Sequence, residues 1–415
     1  MACAYTNPSS PVACGKHAFS LARLHATLLR ALLPALLALL VLLALLALLA
    51  LPATLGLSPA LAAGPDIVIG QSIDLTGKGA AHGTAVNKGA RAYIDSINEK
   101  GGVHGQKIVL MALSDEGKSK LAAENARKLI QQHGAVALFG GVGGGACVAA
   151  TEAASELKVP LIACMGGSPG LRDPFNRYSF PLRPGHDVEF MKMAQMARLY
   201  GLDKVAFLRD AGKNGERHLA NMKKATEQNQ LDLMLDIAVE TDESKWNPRQ
   251  IAATILEKKP KAVFNQTHYS LYGEVIREVR KHDSTIQFYA SNSGAQQMVE
   301  KFGTAIKGLI FTQVVPSPSN AVIPVVKEYR SAFSRHFPKE PYSYSSLEGY
   351  LSAKFLVEGM KRAGPRPTPE KLVAAFESIV DHDLGGVIAS YGPTSRKGSV
   401  YVDTVIVTSQ GKFMN

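Results

Sequence analysis

Gly140-Gly141-Val142-Gly143-Gly144-Gly145 separates a short apolar run, 137–139, from a stretch of helix-forming composition, 146–157. Open backbone at the start of a helix turns unpaired N–H groups outward, which suits an anion such as a carboxylate. A second apolar run, 161–163, empties into another loop of small residues, Met165-Gly166-Gly167-Ser168. Adjacent parallel strands would deliver both loops to one sheet edge, where open α/β sheets bind ligands. The competing reading is that the glycines only let the helix pack closely on its strand. Cys147 and Cys164 stand at the same two strand-to-loop edges. An oxidising compartment permits a disulfide between them, and two small thiols lining a pocket fit the residues equally well.

Other chemistries are weakly supported. Gly141-x-Gly143-x-x-Ala146 is a variant of the dinucleotide fingerprint, but Ala163-Cys164 occupies the place of the ribose-binding acid, and the motif follows the third strand, not the first. The chain has no Gly-x-Ser-x-Gly elbow, no His-Glu-x-x-His and no clustered His/Cys metal spacing. The expectation is therefore a protein with no catalytic residue, no metal and no cofactor, and consumption of a bound ligand would revive the enzyme reading.

The chain has 415 residues, 46% hydrophobic and 20% charged, with a formal net charge of +11. Two domains after a leader is the natural division at this length. The positive excess forms no basic run or aromatic-interleaved patch, so no nucleic-acid partner is expected. Lys16, Arg23 and Arg30 precede an almost pure Leu/Ala run over 31–51, and Ala60-Leu61-Ala62-Ala63 follows. Residues 1–63 read as an export signal that sends the rest to the periplasm, with cleavage after Ala62 or Ala63. The run exceeds the roughly 7–15 residues of a usual signal core, and about 20 apolar residues can span a bilayer, so an uncleaved tether is the alternative.

From residue 66 onward strands and helices alternate. Strands are expected at 66–72, 107–113, 137–139 and 161–163, and helices at 85–100, 118–133 and 146–157. Residues 171–184 read as an irregular crossover. A second alternation places helices at 188–200, 216–229, 248–258, 271–281 and 295–302, with strands at 204–209, 233–239, 262–265, 286–290 and 308–315. Three helices, at 322–337, 345–363 and 368–380, and a terminal β segment at 400–407 complete the chain. The predicted fold class is α/β, two similar parallel-sheet, Rossmann-like lobes joined by a multi-crossover hinge. Lobe 1 is expected over 64–184 plus about 318–390, and lobe 2 over 185–317 plus about 391–415.

This order, read with particular residues, resembles the type I periplasmic binding-protein family, in its branched-chain amino acid (Leu/Ile/Val)-binding branch. The carrying motifs are Ile69-Gly70-Gln71-Ser72 with Leu75-Thr76-Gly77, and Ile97-Asn98 with Gly101-Gly102-Val103-His104-Gly105. Val159-Pro160-Leu161-Ile162, Thr312-Gln313-Val314-Val315-Pro316 and Ser346-Leu347-Glu348-Gly349-Tyr350 follow in the family's order, and the likeness spans Asp66 to Phe413. It implies a solute-binding protein that takes a small molecule, an amino acid or another small carboxylate or amide, and delivers it to the permease of an ABC transporter. It also implies a monomer. A sensing module that presents the same closed form to a receptor or regulator is the alternative.

In that family the loops after the third and fourth strands hold the ligand's carboxylate and amine. The matching positions here are Gly144, Ala146 and Cys147 in one loop and Gly166 in the other, flanked by Gly145, Met165, Gly167 and Ser168. The hydroxyls of relatives are missing at the matched positions, Asn214-Gly215 replaces an aromatic, and no acid stands near Ser291-Asn292-Ser293. The residues themselves offer Arg183, His186, Asp210, Gln266, Thr267, His268 and Asn292 from the crossover and the second lobe. Surface or capping roles fit each of these equally, as they do Asp74 and His82 at the rim of the first lobe.

Overall fold

The computed structural model describes residues 34, 36–46 and 64–414. Two units emerge, Met1–Ala63 and Gly64–Asn415. In the first, residues 36–46 form a helix (α1) whose leucines are exposed. The rest of the expected leader lies outside the described residues. Among the described residues no helix is long and apolar enough to cross a membrane.

The second unit is built on two large sheets. The first orders β1 (Ile67–Ile73), β2 (Ile108–Ser114), β3 (Ala137–Phe139), β4 (Leu161–Ile162) and β5 (Ser179–Phe180) as β2-β1-β3-β4-β5, and every pair is parallel. Helices α2 (Ala80–Asn98), α3 (Ser119–Gln131) and α4 (Gly144–Glu156) connect its strands. Strands covered on both faces need near-continuous apolar runs, and β3 and β4 are fully buried. Order reverses between β1 and β3, so the loops that follow them diverge and open a crevice at the carboxyl edge.

The second sheet repeats the plan. It contains β6 (Lys204–Asp210), β7 (Asp232–Val239), β8 (Ala262–Gln266), β9 (Gln287–Ala290) and β10 (Ile310–Gln313), interleaved with α5 (His186–Leu199), α6 (Lys213–Gln228), α7 (Pro248–Lys258), α8 (Tyr269–Arg280) and α9 (Ala295–Phe302). Its order, β15-β14-β10-β9-β8-β6-β7, is completed by β14 (Asp403–Val407), antiparallel to β10, and β15 (Phe413–Met414). The chain passes between the sheets at 181–185, 314–323 and 400–402, so three segments share the hinge.

The C-terminal helices α10 (Pro324–His336), α11 (Tyr344–Ala363) and α12 (Pro369–Glu377) cover the first sheet. Ser343 starts α11 with a capping box, its hydroxyl accepting from Ser346 N–H. Helices α2 and α11 touch backbone to backbone. A Cβ at Gly89 would lie 1.8 Å from the Ser346 carbonyl oxygen, and one at Gly349 would lie 2.1 Å from that of Val86. This contact brings Tyr344, Ser345 and Glu348 over the crevice of the first sheet.

Two β features depart from the sequence expectation. The crossover expected to be irregular contributes β5 to the first sheet, Leu161 N–H bonding the Tyr178 carbonyl and Ala163 N–H that of Phe180. Residues 382–399, expected to hold no strand, form a three-stranded sheet of β11 (His382–Asp383), β12 (Ile388–Gly392) and β13 (Ser395–Ser399). Polar β13 is held by tertiary partners. Ser399 N–H bonds the Leu182 carbonyl, and the Arg396 guanidinium lies 4.2 Å from the Phe180 ring centre while bonding Glu377.

Candidate functional site

A cleft of about 500 Å³ lies between the carboxyl edges of the two sheets. On the first sheet's side it is lined by the β1 loop (Asp74, Lys78, Gly79), the start of α3 (Ser119), the β3 loop with the first turn of α4, and the β4 loop. Asn292 to Gln297 and His268 face it from the second sheet. Arg183, His186, Gln313, Tyr344, Ser345 and Glu348 form its wall at the hinge.

Gly143, at φ 90°, precedes α4 in a conformation that L side chains rarely adopt, and no side chain caps the helix. The N–H groups of Gly144, Gly145 and Ala146 at the start of α4 therefore stand at the cleft wall without intrahelical partners. Ser168 sits directly behind them, buried, its Oγ without a partner. This end of the cleft can accept an anion.

Behind this hinge wall lies a buried polar cluster, of which Arg183, His186 and Glu348 reach the cleft and Arg172, Glu189 and His218 do not. Arg183 Nε and Nη2 each donate to a different oxygen of Glu348 at 2.8 Å. Burial works against the Arg183 charge, yet Glu348 outweighs it and holds the guanidinium above its ordinary value. Arg172, brought down to about 10 by burial, donates to the Arg183 carbonyl oxygen. His186 N–H bonds the Gly167 carbonyl at 3.0 Å, which ties the β4 loop to α5. The His186 Nδ1 lies 3.1 Å from His218 Nε2. Burial pushes His186 well below its usual value and His218 down to about 4, so both rings are neutral at pH 7. Glu189, fully buried, accepts from Thr312 Oγ1 and Asn292 N–H, and burial raises its carboxyl.

Of the residues singled out from sequence, Gly144, Gly145, Ala146, Met165, Gly166, Gly167, Arg183, His186, His268 and Asn292 line this cleft. Asp74 and His82 line it too, His82 Nδ1 standing 2.8 Å from Ser345 Oγ. Cys147, Ser168, Asp210, Gln266 and Thr267 do not. Gln266 Nε2 reaches the His186 ring from behind, and Thr267 Oγ1 donates to Asn265 Oδ1 at 2.7 Å. Glu348 and Ser119 were not singled out. The available signal for Glu348 is that it is the one charged residue in the stretch 344–353 of α11.

Cys147 and Cys164 form a disulfide, with Cα atoms 5.8 Å apart, so the α4 turn and the β4 loop are one cross-linked wall. The bridge spans 17 residues. Replacing both cysteines by alanine should cost about 3 kcal/mol in urea unfolding, and intact-mass measurement of unreduced protein should find no free thiol at either position.

Asp210 has a different consequence. Burial holds its carboxyl up at about 6 against an ordinary 3.8. The folded chain keeps this proton where the unfolded chain has lost it, so stability declines as pH rises from about 4 to about 6. Asp210→Asn should flatten that slope and add about 1–2 kcal/mol at pH 7, less than the full shift implies because the side chain is partly exposed. Unfolding midpoints across pH 4–7 check it.

A family model described as "Periplasmic binding protein" matches residues 66–407. The chain is 26% identical over 308 residues to Leu/Ile/Val-binding protein homolog 3 of Brucella melitensis, covering 72% of this chain and 80% of that one. It is 25% identical over 337 residues to the Leu/Ile/Val-binding protein BraC3 of Rhizobium johnstonii, covering 79% and 88%. In fold it is similar to a possible leucine/isoleucine/valine-binding protein from Rhodopirellula baltica, with a TM-score of 0.75, 24% identity and coverage of 86% and 98%. A substrate-binding periplasmic protein from Ralstonia solanacearum superposes with a TM-score of 0.73 at 25% identity, covering 84% and 99%.

Proposed function

We propose, from the premise that the chain belongs to the periplasmic binding protein family, that it captures a small amino acid or other small carboxylate or amide between its lobes. Lobe 1 is 64–184 plus about 318–399, and lobe 2 is 185–317 plus about 400–415; the boundary expected near 390 moves to the third crossing because Tyr391 and Arg396 pack on Phe180 and Glu377 of the first lobe. Closure then presents the loaded form to the permease of an ABC transporter, by population shift and without chemistry on the ligand. Residues 1–63 act as the export signal that puts the chain in the periplasm.

The observation that carries this reading is the cleft itself. About 500 Å³ suits a small ligand, both sheets contribute loops to it, and unpaired N–H groups at the α4 start meet it from one side. Three hinge segments allow the two sheets to move as bodies.

A thermal-shift panel of amino acids, carboxylates and amides tests binding. A ligand at about 100 times its Kd should add roughly 2.7 kcal/mol of stability. Loss of uptake of the same compound on deletion of the gene tests delivery, and unchanged uptake would contradict it. The single tryptophan provides an internal check. Trp246 lies 5.4 Å, centre to centre, from the His268 ring that lines the cleft. Saturating ligand should change its emission, and Trp246→Phe should remove the signal while leaving the thermal shift in place.

A further inference from the structure

We infer that the ligand of this cleft is a small carboxylate that carries no α-ammonium group. This rests on the binding role proposed above and narrows its ligand class. An ammonium taken out of water needs an opposite charge that is free to pair with it. Among the described residues, the acids lining the cleft are Asp74, Glu116 and Glu348, and each is engaged.

Glu348 is clamped by both nitrogens of the Arg183 fork, and both side chains are 7% exposed. Its charge is cancelled within the protein, and a ligand cation beside it would also meet the Arg183 guanidinium. Asp74 is 3% exposed. One of its oxygens accepts from Gly77 N–H at 2.6 Å and the other from Gly79 N–H at 2.8 Å, so it shapes the β1 loop instead of facing the cleft as a bare charge. Glu116, at the rim, pairs with Lys118. The wall from the second sheet supplies Asn292, Ser293, Gln296, Gln297 and a His268 whose pKa burial lowers. These groups donate to and accept from a neutral ligand body, but they offset no positive charge.

The opposite end of the ligand is well provided for. Unpaired N–H groups start α4, and a second, independent feature points the same way. Ser168 is 5% exposed with an Oγ that has no partner, and that Oγ lies 3.8 Å from where a side chain at Gly144 would begin. Lys78, at the mouth, is the cleft's exposed cation, 3.6 Å from Glu243.

The test is isothermal titration of the protein, expressed as the full chain, with matched pairs. Leucine is compared with 4-methylpentanoate, valine with 3-methylbutanoate, and phenylalanine with 3-phenylpropanoate. The carboxylate member of at least one pair should bind at least about tenfold more tightly than its amino acid. An amino acid that binds as tightly as its carboxylate partner, or more tightly, overturns the inference and leaves the binding role standing. Silence from all pairs in a cooperatively unfolding protein would overturn the inference and count against the binding role as well.

Discussion

Replacing Arg183 with methionine should cost about 3–5 kcal/mol of stability, because it leaves the Glu348 carboxylate buried without its partner. The pair is buried on both sides and bidentate, with two bonds of 2.8 Å. It joins the first hinge crossing to α11, residues 165 apart in sequence. A surface ion pair would be worth less than about 1 kcal/mol, so the size of the effect separates the two situations. Removing both charges tells more. Arg183→Met with Glu348→Met exchanges the pair for apolar volume, and such exchanges are often close to neutral, so the double variant should recover most of the loss. Urea unfolding of both variants measures the difference. A single-variant cost under about 1 kcal/mol would mean that the pair is open to solvent.

Gly145→Asp should behave in the opposite way, leaving the fold intact and removing the ligand. Gly145 is the second residue of α4 and is exposed. A Cβ there meets Ser119 Oγ at 2.9 Å, the end of a hydroxyl that can rotate away. A carboxylate in the first turn of a helix contributes about 0.3–1 kcal/mol of stability through the helix dipole, so unfolding should be unchanged or slightly improved. The same carboxylate takes the N–H groups intended for the ligand and repels its charge. At about 4 Å and an effective dielectric near 20 that repulsion approaches 4 kcal/mol, which corresponds to an affinity loss of more than about a hundredfold. Stability retained with binding lost is the signature, and undiminished binding of a carboxylate would place its anchor away from α4.

Much of this architecture is legible from local pattern. The apolar runs at 137–139 and 161–163, each followed by small residues, are the strands and loops that deliver the α4 start and Gly166 to the cleft. Helix α9 begins and ends where its stripe of apolar residues does, at Ala295 and Phe302. Elements specified by distant partners were not legible. Strand β13 reads Ser-Arg-Lys-Gly-Ser, a turn-like string, and exists because Leu182, Phe180 and Glu377 meet its backbone and Arg396. Strand β5 is two residues long, too short to carry a period.

The site divides along the same line. Arg183 and His186 were visible as chemistry near a crossover, whereas the neutralising role of Glu348 depends on a contact that no spacing announces. Composition left Cys147 and Cys164 open between bridge and free thiols, and the fold brings their Cα atoms to 5.8 Å. Asp210 ends β6 at the sheet's carboxyl edge, yet the cleft is lined without it.

Hydrogen–deuterium exchange with and without saturating ligand tests the central claim most directly. Binding between the two sheets predicts protection at 143–147 and 165–168 on one side and at 291–297 on the other, in the same experiment and with the same ligand dependence. Protection confined to one sheet's loops, or to a surface away from both, would contradict it.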